Sequence, residues 1–278
     1  MPEIDPVKLA NSVTKSRVYF RHARWDGKRK CPKCNYRIIY QISEKYRCKR
    51  CWYKFDDFTG TYLAKIRIPL NVIAHLLYLF ALGVPAYRIR FYIDVSVKTI
   101  EHAFRVFREA IYDSSVTDMV LSGKLELDEA MFGGHRKGKR GWGAEGKTLV
   151  FGIYKRNGYV MTFPVPDRKY DTLMGLIKKH TKKGSLYYTD DYTAYATLNM
   201  SGKHKVVSHG KDEYVRGDAH INGIEGFWSY AKAWLYHYRG TSKQYFHLYL
   251  KEIEFRFNHR DKNLFEMFAK MLVKSSSN

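Results

Sequence analysis

The sequence predicts a mixed α/β protein in which a large α/β region follows a small cysteine-bearing segment and a helical region. Three observations carry this prediction. All four cysteines lie between residues 31 and 51, apolar residues recur at helical spacing between residues 69 and 112, and strand-like alternation begins near residue 120. We therefore expect four segments, at residues 1–62, 63–118, 119–262 and 263–278, the last being a C-terminal helix and tail.

The composition indicates a folded protein with a polyanionic partner. The 278 residues include 49 Lys and Arg against 27 Asp and Glu, a formal net charge of +22, which predicts nucleic acid as the partner. A hydrophobic content of 45%, with 16% aromatic residues, excludes a disordered basic tail. With no apolar signal region and no apolar stretch long enough to span a bilayer, we expect a soluble protein of a reducing compartment. Charge alone leaves a basic membrane-surface protein open, but no long amphipathic Lys/Arg helix supports it.

The strongest single motif consists of two C-x-x-C pairs separated by 13 residues, namely Cys31, Cys34, Cys48 and Cys51. Each pair can wrap a turn around one side of a tetrahedral ion, so the spacing predicts a structural zinc ribbon. Two disulfides, free thiols and an iron centre are the alternatives. Residues 1–60 hold fifteen Lys and Arg against six Asp and Glu, a net charge of +9, with aromatic residues interleaved. This segment is therefore predicted to contact nucleic acid.

The region after the cysteines is predicted to be helical. Periodicity and capping residues give a helix from Pro69 to Leu82 that Gly83 ends, a short helix over residues 86–92, and a helix over residues 97–112 with Ser96 as its N-cap.

Two helices joined by a short turn resemble a helix-turn-helix, a motif that places its second helix in a DNA groove. On that interpretation Lys98, Thr99 and His102 would face the DNA. An ordinary helical linker explains the same pattern equally well, because helix-turn-helix geometry has no strict sequence code.

From residue 120 the pattern predicts strands and helices in a fixed order. Strands are expected over residues 124–128, 148–154, 159–165 and 185–189, and helices over residues 171–182, 219–238 and from 242 to beyond 256. The pair Asn157-Gly158 predicts a type I′ hairpin turn between the second and third strands. A strand hairpin, a helix, another strand and then helices match the mixed sheet with flanking helices of a ribonuclease-H-like core.

The loop between the first two of these strands is rich in glycine and basic residues. Residues 133–147 hold six glycines and five Lys or Arg. Residues 141–148 match a nucleotide-binding P-loop by pattern, but a strand rather than a helix is predicted to follow, which argues against that function. We predict instead that the loop follows a phosphate backbone through Arg136, Lys137, Lys139 and Arg140.

Three carboxylates are the candidates for chemistry. Asp128 and Asp190 each come where a strand is predicted to end, and adjacent strands would bring them together. Glu225 lies on the helix that follows, with Lys232 two turns further on to contact the DNA backbone. Clustered carboxylates repel one another unless a divalent cation neutralises them, so the pattern predicts a two-Mg²⁺ site for phosphodiester chemistry. Asp191 or Glu126 could take the place of either aspartate.

Taken together, the motifs resemble one family in order along the chain. They are the four cysteines with Asp57-Phe-Thr-Gly-Thr61, Leu127-Asp-Glu-Ala-Met-Phe-Gly-Gly134, Tyr188-Thr-Asp190, His220-Ile-Asn-Gly-Ile-Glu225-Gly-Phe-Trp-Ser229 and Phe255-Arg-Phe-Asn-His-Arg260. This arrangement is similar to that of DDE-type insertion-sequence transposases with an N-terminal zinc ribbon, the prokaryotic relatives of the eukaryotic Merlin elements. The resemblance extends from about residue 28 to residue 260.

The resemblance implies a ribonuclease-H-like domain that uses Mg²⁺ or Mn²⁺ to cut transposon ends and join them to target DNA. Asp128 and Asp190 correspond to the first two acidic ligands. Glu225, with Lys232 seven residues later, fits the third position, and Asn222 is the alternative ligand there. The sequence has Asp190-Asp191-Tyr192 where the family has Asp, Gly and an aromatic residue.

The resemblance also implies partners. These are the terminal inverted repeats of the element, target DNA, and a second copy of the chain in a homodimer or higher oligomer on DNA. No membrane partner is expected, and the site of action would be the cytoplasm in a prokaryote or the nucleus in a eukaryote. Two other functions stay open: a catalytically inactive or domesticated DNA-binding protein, and a metal-dependent nuclease without strand transfer.

Overall fold

The computed structural model describes residues 5–25, 27–115, 119–133, 147–190, 193–195, 198, 203–207, 220–238 and 241–276. The described residues form helices α1 (Pro6–Ala10), α2 (Val13–Trp25), α3 (Leu70–Ala81), α4 (Ala86–Ile89), α5 (Val97–Ser115), α6 (Tyr170–His180), α7 (Asn222–Tyr236), α8 (Phe246–Asn258) and α9 (Leu264–Leu272). They also form strands β1 (Ile39–Ile42), β2 (Lys45–Cys48), β3 (Lys54–Phe55), β4 (Lys124–Phe132), β5 (Thr148–Lys155), β6 (Tyr159–Val165), β7 (Leu186–Thr189) and β8 (Lys203–Val206). The predicted mixed α/β class is confirmed.

The chain divides into two compact units. The first comprises Met1–Ser115 with Asp261–Asn278, and the second comprises Val116–Arg260. The C-terminal helix α9 therefore packs with the N-terminal half of the chain. None of the helices in the described ranges is long and apolar enough to cross a membrane.

Aromatic packing holds the helices of the first unit together. The ring of Phe80 on α3 contacts Phe104 and Phe107 on α5 and Phe268 on α9, with centroid distances of 4.9, 5.4 and 5.3 Å. All four side chains are buried, as helical spacing of apolar residues along α3 and α5 requires. The burial of these rings fixes the helices around one core.

Local signals in the sequence set the ends of α3. The amides of Gly83 and Val84 donate to the carbonyls of Phe80 and Leu79 at 2.9 and 3.0 Å, and Gly83 has φ of 79°. These bonds form a Schellman motif, which confirms Gly83 as the residue that ends the helix. At the other end the helix begins at Leu70, one residue later than predicted, because Pro69 has an extended ψ of 143° and is the N-cap.

The start of α5 also follows the prediction. The Oγ of Ser96 accepts the backbone N–H of Thr99 at 3.2 Å, which makes Ser96 the N-cap. The helix runs three residues beyond the predicted end at residue 112. The preceding helix α4 is shorter than predicted and ends at Ile89, whose side chain is fully buried.

The second unit is built on a five-stranded sheet of order β6-β5-β4-β7-β8. Antiparallel pairing joins β6 to β5 and β5 to β4, whereas β4, β7 and β8 are parallel. Successive side chains of β4 face opposite sides of the sheet, as the strand repeat requires. Leu125 and Leu127 pack in the core with α6, and Ala130 and Phe132 pack in the core with α7 and α8. The unit therefore has three layers, with the sheet in the middle.

The turn between β5 and β6 differs from the predicted type I′ form. Lys155 pairs with Tyr159, so three residues connect the strands, and only Asn157 among them has positive φ, of 67°. Gly158 donates its N–H to the Lys155 carbonyl at 3.1 Å. Positive φ at the third position is the pattern of a type II turn. Arg156 lies in the turn, as the predicted strand ends also implied.

Candidate functional site

The prediction that Asp128 ends a strand is wrong, and its actual position is more informative. Asp128 is the fifth of nine residues in β4. The strand continues because antiparallel pairing with β5 persists to Phe132 opposite Thr148, whereas parallel pairing with β7 stops at Glu126 opposite Tyr188. Asp128 therefore lies just beyond the end of the parallel pair, at the carboxyl edge where open α/β sheets bind ligands.

Asp190 follows the neighbouring strand in the matching position. It comes two residues after Tyr188, as Asp128 comes two residues after Glu126, so both aspartates extend the last registered pair. The nearby charge of Asp190 contributes to raising the pKa of Asp128. The sequence therefore correctly anticipated adjacent strands for these two residues. Asp191, the alternative, falls outside the described residues.

Asp128 is a carboxyl group with a strongly perturbed pKa. Burial raises this pKa from 3.8 to about 7, with further contributions in the same direction from Glu129 and Asp190. The indole N–H of Trp228, on α7, donates to Oδ2 of Asp128 at 3.0 Å and opposes the shift. A half-buried carboxyl that sits beside other acids and titrates near neutrality has the features of a functional site rather than of a turn.

Glu129 points to the opposite face of the sheet and is held by two partners. The hydroxyl of Tyr195 donates to Oε1 at 2.5 Å, and Nη2 of Arg168 lies 2.9 Å from Oε2. The same Nη2 is 3.9 Å from Oδ2 of Asp190. Burial is the main cause that raises the pKa of Glu129. Arg168 thus links a buried glutamate to the candidate aspartate at the strand edge.

Glu126 anchors the first turn of α7 to the sheet. Its Oε2 accepts the N–H of Ile224 at 2.9 Å, and its Oε1 lies 2.7 Å from Nε of Arg156. A carboxylate at a helix N-terminus is favourable because the unpaired N–H groups there carry partial positive charge. Arg156 also donates to the carbonyl of His220 at 2.5 Å. This buried ion pair therefore fixes the segment that leads into α7.

Two glycines allow α7 to approach the sheet closely. A Cβ on Gly152 of β5 would lie 2.6 Å from Cζ2 of Trp228, and a Cβ on Gly223 would lie 2.8 Å from Oε2 of Glu126 and against the ring of Tyr154. Real Cβ atoms do not make contacts this short, so any larger residue would push the helix or its side chains outward. The absence of side chains at both positions keeps Trp228 in reach of Asp128.

Glu225, Asn222 and Lys232 lie on the exposed side of α7, together with Ser229. The buried stripe predicted for this helix is confirmed for Ile221, Ile224, Trp228 and Ala231. Across the described ranges, the four cysteines are the only group of three or more His, Cys, Asp and Glu whose ligand atoms are close enough to hold an ion. Asp128, Asp190 and Glu225 are therefore not gathered into such a group.

The cysteines of the first unit do form such a group. The four Sγ atoms lie within 4.8 Å of one another, with Cys31 and Cys51 at 3.5 Å and Cys34 and Cys48 at 3.5 Å. These sulfur–sulfur distances are longer than the about 2.05 Å of a disulfide bond. They are close to the distance between two thiolate ligands of one tetrahedral zinc ion. The quartet can therefore hold a zinc ion.

The two cysteine pairs share one backbone design. Cys31 donates its N–H to the carbonyl of Tyr36 and Cys48 donates to that of Tyr53, at 2.9 and 3.1 Å. The residue after each pair, Asn35 or Trp52, has φ near +60° (60° and 59°). The N–H of Arg50 points at Sγ of Cys48 at 3.3 Å, and such bonds lower the pKa of that thiol to about 7 although burial alone would raise it. In the first turn the pKa shifts have the opposite sign: burial raises the pKa of Cys31, and burial and the neighbouring thiols raise that of Cys34 to about 12. Both turns thus present their sulfur atoms to one point.

The residues predicted to contact DNA have different surroundings. Lys98 is exposed, whereas Thr99 lies 2.8 Å from the hydroxyl of Ser96 and Nε2 of His102 lies 3.0 Å from the carbonyl of Lys65. The hydrogen bonds of Thr99 and His102 within the chain hold both side chains in place. The basic loop residues Arg136, Lys137, Lys139 and Arg140 fall outside the described residues.

Sequence reasoning missed most of the support around Asp128. Arg168 and Tyr195 gave no signal because their partner Glu129 is 39 and 66 residues away. Trp228 was recognised only as part of an apolar stripe. Two acids in a buried strand, Glu126 and Glu129, were the available signal, because buried carboxylates require cationic or hydrogen-bonding partners.

Comparison with known proteins agrees with the motifs. Residues 120–258 match the sequence model of the ISXO2-like transposase domain. An uncharacterized protein in transposable element ISH50 of Halobacterium salinarum is 27% identical over 275 residues, which cover 90% of this chain and 92% of that protein. An uncharacterized transposase-like protein of Haemophilus influenzae is 36% identical over 118 residues, covering 42% of this chain and 95% of that protein. The matched region contains the whole surroundings of Asp128.

Proposed function

Because the chain belongs to the ISXO2-like transposase family, we propose that it cuts DNA strands at the ends of a mobile element and joins them to target DNA with the help of divalent cations. One observation carries the proposal. Asp128 and Asp190 extend two adjacent parallel strands at the same edge of the sheet, and the Asp128 carboxyl has a pKa raised to about 7 by burial and neighbouring acids.

The topology of the second unit supports a ribonuclease-H-like core. Its sheet has a three-stranded antiparallel meander, β4 to β6, followed by two strands parallel to β4, with helices on both faces. The strand β4 lies in the centre of this sheet, so its carboxyl end is next to that of β7. This arrangement suits a site built from the first and fourth strands of the sheet.

Asp128 and Asp190 are the proposed first ligands, and Glu225 is the proposed third, with Asn222 as the alternative. The donor set suits Mg²⁺ or Mn²⁺, which prefer carboxylate and amide oxygens. Bound cations would activate a water molecule or the 3′-hydroxyl of a cut strand and would stabilise the leaving oxygen. Trp228 would orient the Asp128 carboxylate, and the pair of Glu126 with Arg156 would hold the start of α7, and so Glu225, at a fixed place.

Ligation by a third residue requires Glu225 or Asn222 to come closer to the two aspartates, because these side chains do not form a close group among the described residues. Carboxylates without a cation repel one another, so the repulsion among three of them is lower when they are apart. A cation reverses this balance because it neutralises the charges. We therefore propose that cation and DNA together bring Glu225, or Asn222, toward the two aspartates.

The cysteine quartet is proposed to hold structural zinc rather than iron. Lys33, Lys49 and Arg50 lie within the two cysteine turns, where they favour a polyanionic partner over electron transfer. Zinc bound there would fix β1, β2 and β3 as a ribbon that contacts DNA.

DNA contacts are proposed for both units. Lys98 and Lys232 are exposed cations, and the four basic residues of the loop at 136–140 would follow the phosphate backbone. Thr99 and His102 stay candidates for the helix-turn-helix surface. Two copies of the chain are proposed to bind paired element ends, and the prokaryotic sources of the relatives favour action in the cytoplasm.

The test is incubation of the protein with Mg²⁺ and the genomic DNA that flanks its own gene, followed by mapping of cut ends and joined products. The wild type should produce 3′-hydroxyl ends at the element boundary and covalent joints to target DNA. Asp128→Asn should bind the same DNA and yield neither product. Unchanged cleavage by Asp128→Asn would contradict the assigned site, cut ends without joints would indicate a nuclease, and binding without cuts by the wild type would indicate an inactive DNA-binding protein.

A further inference from the structure

The first unit carries an aromatic surface that its fold does not use. Three rings within six residues are exposed: Tyr87 by 49%, Phe91 by 72% and Tyr92 by 80%. Arg88 and Arg90 lie between them, and we call these five residues the aromatic–arginine turn. Single exposed apolar residues are ordinary, but adjacent large rings exposed to this extent usually mark a binding surface.

Backbone contacts and one buried residue hold the turn in place. Ile89 is fully buried, and its carbonyl accepts the N–H of Tyr92 at 2.9 Å and that of Ile93 at 3.2 Å. Phe91 donates its N–H to the carbonyl of Arg88 at 3.4 Å. The exposed rings are therefore not required to anchor the segment. Exposure of their apolar area to water is unfavourable.

The charge around the rings selects the class of ligand. The Cζ atom of Arg90 lies 4.6 Å from the ring centroid of Phe91, and that of Arg88 lies 5.8 Å from the centroid of Tyr87. No Asp or Glu occurs in the sequence between Asp57 and Asp94. Asp94, two residues after Tyr92, is exposed, but the turn itself contains two arginines and no acid. Flat apolar rings beside guanidinium groups suit a ligand that has both aromatic faces and negative charge.

Unpaired DNA bases have this combination, whereas the faces of bases in a duplex are stacked on one another and inaccessible. We infer that the aromatic–arginine turn binds unpaired or unstacked nucleotides of DNA, with bases stacking on Phe91 and Tyr92 and phosphates contacting Arg88 and Arg90. The inference rests on the proposed action on DNA, because cutting a strand at a duplex end frees nucleotides to unstack there.

A second copy of the chain is a less favourable occupant. Apposing two identical turns would bring four guanidinium groups together without an acidic partner from the turns, and like charges repel. Nucleic acid supplies the counter-charge itself. The same physics predicts that binding to the turn weakens as salt rises.

The experiment measures fluorescence anisotropy of the full zinc-loaded chain with a labelled 12-nucleotide oligo-dT and with a blunt duplex of equal length. Phe91→Ala combined with Tyr92→Ala removes the rings, whereas Phe91→Tyr combined with Tyr92→Phe keeps them. Val7→Ala, at a residue 50% exposed on α1, controls for loss of exposed apolar area elsewhere in the same unit.

We expect the double alanine variant to lose roughly 30-fold or more in affinity for the single strand, because each of the two lost base–aromatic stacks contributes roughly 5- to 150-fold. Duplex affinity should change by less than about twofold, and the ring-retaining and Val7→Ala variants should bind both probes as the wild type does. Arg88→Gln combined with Arg90→Gln should reduce the slope of log affinity against log salt by roughly 1.4 for the single strand, since each phosphate contact contributes about 0.7.

Single-strand binding by the double alanine variant at wild-type affinity would overturn the inference. So would a shift of that variant from dimer to monomer in sedimentation with single-strand binding unchanged, because the turn would then be a contact between copies. Mg²⁺-dependent nicking of element ends, measured in parallel, separates this inference from the proposed function. If the wild type nicks element ends and the double alanine variant binds single strands as well as the wild type does, only this inference is rejected. If the wild type does not nick element ends but single-strand binding depends on the rings, only the proposed function is rejected.

Discussion

The indole N–H of Trp228 donates a hydrogen bond of 3.0 Å to Oδ2 of Asp128, across 100 residues of sequence. The bond ties the helix that carries Glu225 to the strand that carries Asp128. Partners of this kind orient a ligand and fix which of its oxygens stays available, and their loss typically reduces metal affinity or activity 10- to 100-fold.

Trp228→Phe should therefore reduce the rate of strand cleavage by roughly 10- to 100-fold while binding of element-end DNA changes little. The substitution removes the donor and also ring volume, including Cζ2 and Cη2, the indole atoms nearest Gly152. The control must therefore lose the same volume. The matched control is Trp234→Phe on the same helix, whose buried indole N–H makes no hydrogen bond to any described residue. Equal rates for Trp228→Phe and Trp234→Phe would contradict an orienting role for the bond.

Glycine substitutions test the close approach of α7 to the sheet. Gly223→Ala should lower the midpoint of urea unfolding and the rate of cleavage, because the added Cβ meets Tyr154 and lies 2.8 Å from Oε2 of Glu126. Gly226→Ala on the same helix has nothing within 4 Å of the added Cβ. This control should leave stability unchanged or raise it by about 0.5–1 kcal/mol, through the better helix propensity of alanine.

The ion pair of Glu126 with Arg156 should affect both the stability of the protein and the Mg²⁺ requirement of cleavage. Glu126→Gln removes a buried partner, with side chains 1% and 12% exposed in the pair, and should destabilise the protein by about 3–5 kcal/mol. It should also raise the Mg²⁺ concentration needed for half-maximal cleavage, because the start of α7 loses its anchor.

A second buried pair gives the control for that prediction. Glu252→Gln breaks the pair with Arg256 on α8, whose side chains are 0% and 2% exposed. It should destabilise the protein comparably and leave the Mg²⁺ dependence of the folded protein as in the wild type. If both variants shift the Mg²⁺ requirement alike, the effect reflects stability rather than positioning.

The raised pKa of Asp128 predicts a pH dependence of stability with a definite sign. The folded protein holds the proton more tightly than the unfolded chain, whose Asp has its ordinary pKa of 3.8, against about 7 in the fold. The stability that the protonated carboxyl contributes is complete below pH 3.8 and is lost as pH rises through 7. Relative to Asp128→Asn, the wild type should therefore become less stable between pH 4 and pH 8, by up to about 4 kcal/mol.

Thermal unfolding of both proteins at pH 5 and pH 8 without added divalent cation measures this difference. The advantage of Asp128→Asn should be larger at pH 8. Added Mg²⁺ should then raise the Tm of the wild type at pH 8 and have little effect on Asp128→Asn, since a cation compensates the buried charge. An advantage that does not change with pH would mean that Asp128 is ionised throughout.

The cysteine quartet predicts one zinc ion per chain. Cys34→Ser should lower zinc content, measured by colorimetric release, from about one per chain to near zero, because a tetrahedral thiolate site needs all four ligands. Duplex binding should weaken at the same time, since the basic residues of this segment lose their fixed arrangement. Full DNA affinity in the zinc-free variant would remove the segment from the DNA interface.

Local signals allowed much of the fold to be predicted. Gly83, Ser96 and the cysteine spacing act within a few residues, so the end of α3, the start of α5 and the cysteine cluster follow from short stretches of sequence. The adjacency of the strands that lead to Asp128 and Asp190 was also predicted correctly, although β4 does not end at Asp128.

The remaining features depend on contacts distant in sequence. The extension of β4 beyond Asp128 is decided by β5, about 20 residues away, and the partners of Glu126 and Glu129 come from positions 30 to 98 residues away. No local pattern identifies Arg156, Arg168 or Tyr195 as those partners. The exposure of Phe91 and Tyr92 was equally hidden, because aromatic residues in a helical region ordinarily predict burial.

Asp128 and Asp190 are proposed to hold a divalent cation together at the edge of the sheet. Anomalous scattering from Mn²⁺ in crystals of the protein with element-end DNA measures this ligation. We expect a manganese peak about 2.2 Å from a carboxylate oxygen of each aspartate, with Glu225 or Asn222 as a further ligand, and no such peak in Asp128→Asn. Crystals that hold Mn²⁺ at the DNA without contact to either aspartate would show that the two residues are not the ligands.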